Sequence, residues 1–198
     1  ELKVGIDTEA ILNIIHSYTG IIINSRIVID RQFIDKAKRL KFLGRTGSGM
    51  EIVDQEYAFE KGVHCISSPE GNCNAVAEHA LGMLLALFNN IIKGNREVKN
   101  EIWRREENRG IELEGKTIGI IGYGNTGRAF SKKLKGFDVE IMAYDKYKKG
   151  FGKPGIKECS LRDIMSNADV LSLHLPLTKE TKYWFNKEIT ANFSKAFY

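Results

Sequence analysis

The chain has 198 residues and a net charge of +5; 42% of its residues are hydrophobic and 28% are charged. These values are typical of a globular protein with one large domain or two small ones. The longest apolar stretch, at 75–92, is interrupted by Glu78, His79, Asn89 and Asn90. It therefore falls short of the ~18–20 continuous apolar residues that a membrane-spanning helix needs.

Composition also argues against several other kinds of site. The first four residues lack the basic-then-apolar pattern of a signal peptide, which favours a cytoplasmic location. Cys65, Cys73 and Cys159 show no CxxC spacing, so we expect reduced thiols in or near the core and no metal site. The excess positive charge lies mainly in a lysine-rich segment at 146–153. We interpret that segment as a solvated loop and expect neither a nucleic-acid nor a membrane partner.

In the first third of the chain, predicted helices and strands alternate. The helices are expected at 9–18, 30–39 and 54–61, and Asp30 is a candidate cap for the second of them. The strands are expected at 20–24, 41–44 and 63–67. Such alternation predicts an α/β fold with a parallel sheet.

A single long helix is predicted at 74–100. Val76, Leu84, Leu87 and Ile91 are among the apolar residues that recur there at helical spacing. A helix of this length between two βα units is a natural connector, so we place the domain boundary at its start, with domains at 1–73 and 74–198.

A second βα unit follows Gly115. Its strands are expected at 117–121, 140–145 and 169–175, and its helices at 125–135, 161–167 and 188–194. A doubly wound nucleotide-binding domain typically has about six strands. Because only three are evident and the sequence stops on apolar residues, we expect a fragment in which the domains are incomplete.

The strongest motif is a glycine loop between the strand at 117–121 and the following helix. Gly122, Gly124 and Gly127 form a GxGxxG pattern in the context that a dinucleotide fingerprint requires. The first glycine permits the tight turn, the second lets the backbone approach a pyrophosphate, and the third lets helix and strand pack closely. The helix N-terminus offers N–H groups and partial positive charge to the phosphates.

Asp145 lies about 20 residues beyond this loop, at the end of the next predicted strand. A carboxylate there accepts hydrogen bonds from the adenosine ribose hydroxyls and repels a 2′-phosphate. The pattern therefore predicts NAD as the cofactor, although the lysines after Asp145 could hold the extra phosphate of NADP.

Four segments together resemble the D-isomer-specific 2-hydroxyacid dehydrogenases, and within them the phosphoglycerate dehydrogenase-like members. They are LKFLGRTGSGM at 40–50, SPEGN at 68–72 with AVAEHA at 75–80, LEGKTIGIIGYG at 113–124, and ADVLSLHLPLT at 168–178. The resemblance implies two doubly wound parallel-sheet domains, a flavodoxin-like substrate domain followed by a Rossmann NAD domain.

The resemblance also implies roles for individual residues. The loop after the second strand would bind substrate, with Arg45 holding a carboxylate or phosphate. The implied substrate-binding residues are Arg45, Thr46, Gly47 and Ser48. The implied cofactor-binding residues are Ser48, Gly122, Gly124, Asn125, Thr126, Gly127, Asp145, His174, Leu175, Pro176 and Thr181.

The catalytic groups of such enzymes are an arginine that binds the substrate and a histidine acid–base paired to a glutamate. Neither His79 nor His174 matches that histidine. We therefore assign no catalytic residue within the chain and expect the arginine, glutamate and histidine beyond its C-terminus.

The implied activity is NAD-dependent hydride transfer between nicotinamide and a D-2-hydroxy acid or 2-oxo acid. Arg45 favours 3-phospho-D-glycerate, at the entry to serine synthesis. A glyoxylate or hydroxypyruvate reductase and a non-catalytic NAD-sensing corepressor remain as alternatives. The resemblance further suggests a homodimer, with the long helix and Trp103 near the two-fold axis.

Overall fold

The computed structural model describes residues 5–198; residues 1–4, in which we looked for a signal peptide, lie outside the described part. The chain divides into two compact units, Glu1–Asn72 and Cys73–Tyr198. Each is a parallel α/β unit with its own sheet.

The first unit contains a three-stranded parallel sheet in the order β1-β2-β3. Its strands are β1 (Gly20–Ile23), β2 (Phe42–Arg45) and β3 (His64–Ser67), and its helices are α1 (Thr8–Ile14), α2 (Arg31–Lys36) and α3 (Gln55–Glu60). A 3-10 turn, Ile15–Ser17, extends α1. The predicted alternation is confirmed, although α2 ends earlier than expected.

Aspartate caps begin all three helices of this unit. Asp7, Asp30 and Asp54 each accept a hydrogen bond from a backbone N–H in the first turn, at 2.8 to 3.0 Å. Such caps satisfy N–H groups that a helix cannot satisfy internally. The core forms beneath them from apolar side chains that include Ile15, Ile29, Phe33 and Leu43.

The other face of the first sheet is exposed. Ile22 and Ile66 are register partners of Gly44 on either side of β2, and their exposed fractions are 73% and 60%. Phe42 is 44% exposed on the same face. Only one face of this sheet is therefore packed by the described residues, whereas parallel sheets are normally covered on both.

The second unit contains a four-stranded parallel sheet in the order β6-β5-β4-β7. Its strands are β4 (Thr117–Ile121), β5 (Glu140–Tyr144), β6 (Lys157–Glu158) and β7 (Val170–Leu173). Its helices are α4 (Cys73–Phe88), α5 (Ile91–Lys99), α6 (Asn125–Lys133), α7 (Leu161–Asn167) and α8 (Lys187–Thr190). The order reverses at β4, which makes the carboxyl ends of β4 and β7 a topological switch point, the usual ligand crevice of such sheets.

Helices cover both faces of this second sheet. On one face, Ala77 and Phe88 of α4 join Phe130 of α6 over Ile118 and Ile120. On the other face, Ile164 of α7 packs with Ile121 and Met142. The strand at 117–121 and the helix at 161–167 match their predicted bounds, and the doubly wound arrangement is present.

The predicted single helix at 74–100 is wrong, because the chain breaks between α4 and α5 with a bend of 59°. Asn90 adopts a left-handed backbone conformation, with φ of 50°, that ends helical geometry. The bend is held by Gly110 packed against Asn89 and by a hydrogen bond of 2.9 Å from Ile111 N–H to the Phe88 carbonyl.

Two further findings concern this unit. The two-residue strand β6 was not predicted, since Lys157 and Glu158 carry no apolar pattern.

Among residues 5–198, no single helix is long and apolar enough to cross a membrane; α4 and α5 meet that criterion only together, as a bent pair.

Candidate functional site

The glycine loop lies at the carboxyl end of β4, at the switch point of the second sheet. Gly122 has a φ of +92°, a conformation that side chains rarely adopt, and its N–H donates to the Tyr144 carbonyl at 2.8 Å. A Cβ on Gly122 would lie 2.3 Å from the carbonyl oxygen of His174. Glycine is therefore required where β4 turns toward α6 beside the end of β7.

Gly127 and Gly124 serve different needs. A Cβ on Gly127 would lie 2.1 Å from the carbonyl oxygen of Gly122, so the protein itself excludes a side chain there. A Cβ on Gly124 would meet no atom of the described chain within 4 Å. Packing thus requires glycine at 127 but not at 124, and the open space above Gly124 is where a pyrophosphate would approach the backbone.

The amino end of α6 points into this space. Gly124 is the N-cap, and no side chain among the described residues caps the helix. Asn125 and Thr126 are half-buried in the first turn. Arg128 donates to the Gly124 carbonyl at 3.2 Å and to Asn125 Oδ1 at 2.7 Å, which fixes the loop. An uncapped helix N-terminus beside open backbone suits a phosphate.

Asp145 follows β5 and is tied to the glycine loop. Its Oδ2 accepts the Tyr123 N–H at 2.8 Å, and its Oδ1 accepts the N–H groups of Tyr147 and Lys148 at 2.9 and 3.0 Å. Burial raises the pKa of Asp145, but these backbone donors outweigh it and hold the pKa below its ordinary value. The carboxylate is therefore ionised at neutral pH and aligned at the end of the sheet.

The segment after β7 forms the other wall. His174 N–H donates to the Ile121 carbonyl at 2.8 Å, and its ring lies 2.9 Å from the Ser172 hydroxyl and 5.4 Å, centroid to centroid, from the Phe130 ring. Burial lowers the pKa of His174, so the ring is neutral at pH 7. Leu175 and Pro176 follow on the exposed side of this wall.

Thr181 closes the turn that ends this wall. Its hydroxyl lies 2.5 Å from the Pro176 carbonyl and accepts the Thr178 N–H at 2.9 Å. These hydrogen bonds shape the loop, and the contact of Thr181 with the cofactor stays a prediction.

Arg45, at the end of β2 in the first unit, is directed inward. Its guanidinium donates to the Gly49 carbonyl, to Glu51 Oε1 at 3.1 Å and to Ser25 Oγ at 3.2 Å, and its side chain is 7% exposed. The pKa of Glu51 is lowered by its own backbone N–H and then by Arg45. Arg45 therefore organises the loop at 45–49, and its direct contact with substrate stays a prediction.

The remaining residues of that loop are more accessible. Thr46 is exposed, and its N–H and hydroxyl both donate to the Ile23 carbonyl, at 3.1 and 3.3 Å. The Gly47 carbonyl accepts the Ser68 N–H at 3.1 Å, and Ser48 is exposed. The structure thus places these three residues at the carboxyl end of the first sheet, and the predicted cofactor residues other than Ser48 at the carboxyl end of the second.

Sequence reasoning missed one charged contact beside the site. Glu180 forms an ion pair with Lys146 and accepts the Tyr147 hydroxyl at 2.7 Å. The lysine-rich segment drew attention to Lys146, but nothing in the sequence indicated that its partner is Glu180, 34 residues away.

Comparison with known proteins agrees with this geometry. Residues 81–198 match the family described as D-isomer specific 2-hydroxyacid dehydrogenase, NAD binding domain. The D-3-phosphoglycerate dehydrogenase of Archaeoglobus fulgidus is 34% identical over 91% of this chain and 35% of its own length. The chain therefore spans about a third of that curated relative.

Solved structures give the same result. NAD-dependent formate dehydrogenase from Staphylococcus aureus in complex with NAD is 30% identical, with a TM-score of 0.83 over 96% of this chain and 59% of that one. D-Lactate dehydrogenase from Aquifex aeolicus complexed with NAD and lactic acid is 26% identical, with a TM-score of 0.84 over 94% of this chain and 57% of that one. The chain belongs to the D-isomer specific 2-hydroxyacid dehydrogenase family and carries its NAD-binding domain.

Proposed function

We propose that this chain is part of an NAD-dependent oxidoreductase acting on a D-2-hydroxy acid and its 2-oxo acid. Nicotinamide supplies or accepts the hydride in such a reaction. The observation that carries the proposal is the switch-point site, where the uncapped N-terminus of α6, the open Gly124 and the aligned Asp145 carboxylate occur together.

Within this proposal, the second unit binds the cofactor. Gly122, Gly124 and the first turn of α6 receive the pyrophosphate, where N–H groups and the helix dipole favour negative charge. Asp145 accepts the ribose hydroxyls with lone pairs not used by its three backbone donors. His174, Leu175 and Pro176 line the adenosine side.

The first unit, in the same proposal, contributes to substrate binding through the loop at 45–49. Thr46 and Ser48 are exposed and Gly47 is half-buried at the end of β2. Arg45 stabilises this loop by donating hydrogen bonds to the Gly49 carbonyl and to Glu51 Oε1. The substrate that we propose is 3-phospho-D-glycerate, since the curated relatives at 33–34% identity carry the name D-3-phosphoglycerate dehydrogenase.

An assay of the full-length gene product tests the activity. We expect NADH oxidation with phosphohydroxypyruvate to be faster than with hydroxypyruvate, glyoxylate or pyruvate. No oxidation with any 2-oxo acid would overturn the proposed enzyme and favour an NAD-sensing module. A preference for an unphosphorylated acid would overturn only the proposed substrate.

We also propose a cytoplasmic homodimer. The support is an apolar surface on α4, α5 and the following segment, where large side chains remain exposed in the single chain. Met83 and Leu87 are 58% and 57% exposed, and Trp103 is 81% exposed. Met83 and Leu87 are one turn apart on α4 and are therefore neighbours on its surface, and contiguous apolar surface is typical of protein–protein interfaces.

A further inference from the structure

Two loops meet across the candidate cofactor site. One follows β5 and carries Lys146 and Tyr147; the other follows β7 and carries Glu180. Lys146 Nζ pairs with Glu180 Oε1, and the Tyr147 hydroxyl donates to Glu180 Oε2 at 2.7 Å. Because β5 and β7 flank β4, this contact joins the two sides of the switch-point crevice.

The contact lies directly beside Asp145. Asp145 Oδ1 accepts the N–H of Tyr147 at 2.9 Å and of Lys148 at 3.0 Å, so the backbone of this loop is fixed against the carboxylate. The hydrogen bond from Lys146 lowers the pKa of Glu180, and the same bond raises the pKa of Lys146. Both groups are therefore charged at neutral pH.

This arrangement bears on the choice between NAD and NADP. The two cofactors differ by a phosphate on the adenosine ribose, and basic side chains near the acidic residue accommodate that phosphate. Lys146 immediately follows Asp145 and is the nearest such cation in sequence. In the structure its ammonium group is neutralised by Glu180, which adds a second carboxylate at the same end of the sheet.

We propose that Glu180 is a specificity-determining residue that favours NAD by holding Lys146 and Tyr147 away from the ribose 2′ position. This inference deepens the proposed function and rests on its assignment of Asp145 to the ribose. Glu180 acts in two ways. It forms an ion pair with Lys146, the cation that would attract a 2′-phosphate, and it contributes negative charge that repels a 2′-phosphate.

Lys149, another lysine of this loop, is held differently. Lys149 donates to the Asp145 carbonyl at 3.4 Å and lies 5.5 Å from the centre of the Tyr144 ring. Neither contact involves Glu180, so changing Glu180 releases Lys146 and leaves Lys149 as it is. A change in cofactor preference after that substitution can therefore be traced to Lys146 by a second substitution.

The test is calorimetric titration of the chain with NAD and with NADP. Glu180→Gln is expected to tighten NADP binding by roughly five- to tenfold, because it removes a negative charge and also releases Lys146 to interact with the 2′-phosphate. NAD binding is expected to stay within about twofold of the parent value. Glu140→Gln, at the opposite end of β5, removes the same charge and is expected to leave the ratio unchanged.

A double-mutant comparison locates the cause. Lys146→Gln alone should not tighten NADP binding, because it removes the cation and leaves the Glu180 carboxylate without its ion-pair partner, whereas Glu180→Gln with Lys146→Gln should lose most of the gain in NADP binding. An unchanged ratio in Glu180→Gln, or a gain that survives in the double variant, overturns the role of Glu180. A parent chain that binds neither nucleotide overturns the proposed site itself and this inference with it.

Discussion

Asp145 is positioned by the protein before any ligand is present. Three backbone N–H groups, from Tyr123, Tyr147 and Lys148, converge on its carboxylate and keep it ionised. The Tyr123 donor belongs to the glycine loop, so the carboxylate and the phosphate-binding backbone are fixed relative to each other. Preorganisation of this kind lowers the ordering cost of binding.

Replacing Asp145 with Asn should weaken NAD binding by about tenfold, because the amide offers one acceptor oxygen and no charge, and hydrogen bonds to charged groups contribute ~1.5–3 kcal/mol. Calorimetric titration measures the change. The matched control is Asp138→Asn, before the amino end of β5, where the residue has a φ of 48° that asparagine tolerates. Equal NAD affinities for parent and Asp145→Asn would contradict the ribose role.

For individual residues, the sequence predicted the place of a residue in the fold better than the direction of its side chain. Asp145 was placed by its spacing from the glycine loop, which depends only on strand and helix lengths. The contacts of Arg45 with Gly49, Glu51 and Ser25 were not predicted, and its contact with substrate stays a prediction. Glu180 was overlooked, because its contact with Lys146 depends on how two loops meet, and no local pattern encodes that.

Among the elements, the junction of β4 and α6 contains two glycines with different requirements. Gly127 is excluded from carrying a side chain by the Gly122 carbonyl, whereas Gly124 is bordered by open space. Stability and binding can therefore be separated by substitution at neighbouring positions of one motif.

Gly127→Ala should lower the free energy of unfolding by roughly 1–3 kcal/mol, the usual cost of overpacking. Gly124→Ala should change stability by less than about 0.5 kcal/mol but weaken NAD binding by roughly tenfold or more, since a methyl group would occupy the pyrophosphate position. Urea unfolding and calorimetry measure the two effects. If Gly124→Ala binds NAD like the parent, the phosphates do not lie over this loop.

Element boundaries show where sequence patterns fail. The helix pattern continues through 89–90, but the left-handed Asn90 and the packing of Gly110 on Asn89 separate α4 from α5. That packing brings together residues about 20 positions apart, so helical periodicity cannot reveal it. Strand β6 was missed because its two polar residues carry no strand pattern of their own. It is a strand because it pairs with Met142 and Ala143 of β5.

For the whole molecule, the alternating pattern was sufficient to predict the α/β class and parallel sheets. Neighbouring strands in the order β6-β5-β4-β7 are all parallel, so each connection between them is a crossover that contains a helix or a long loop. The exposed apolar residues were less predictable. Val76, Met83, Leu87 and Ile91 contributed to the helical pattern, yet all four are at least 40% exposed, while Ala77, Leu84 and Phe88 are buried.

That exposed surface leads to a prediction about assembly. Met83 and Leu87 are four residues apart on one face of α4, so Met83→Glu with Leu87→Glu should place charge in the proposed dimer interface and yield monomers. Sedimentation of parent and variant measures the state. Phe59→Glu, on α3 and 80% exposed, is the control that should leave assembly unchanged. A parent that is already monomeric would contradict the proposed homodimer.

Binding of NAD by the second unit at the end of β4 underlies every functional role proposed above. Calorimetric titration of the 198-residue chain with NAD and NADP tests it most directly. We expect saturable binding of one NAD per chain, tighter than that of NADP because Asp145 repels a 2′-phosphate. Absence of NAD binding by the folded chain, or tighter binding of NADP, would contradict it.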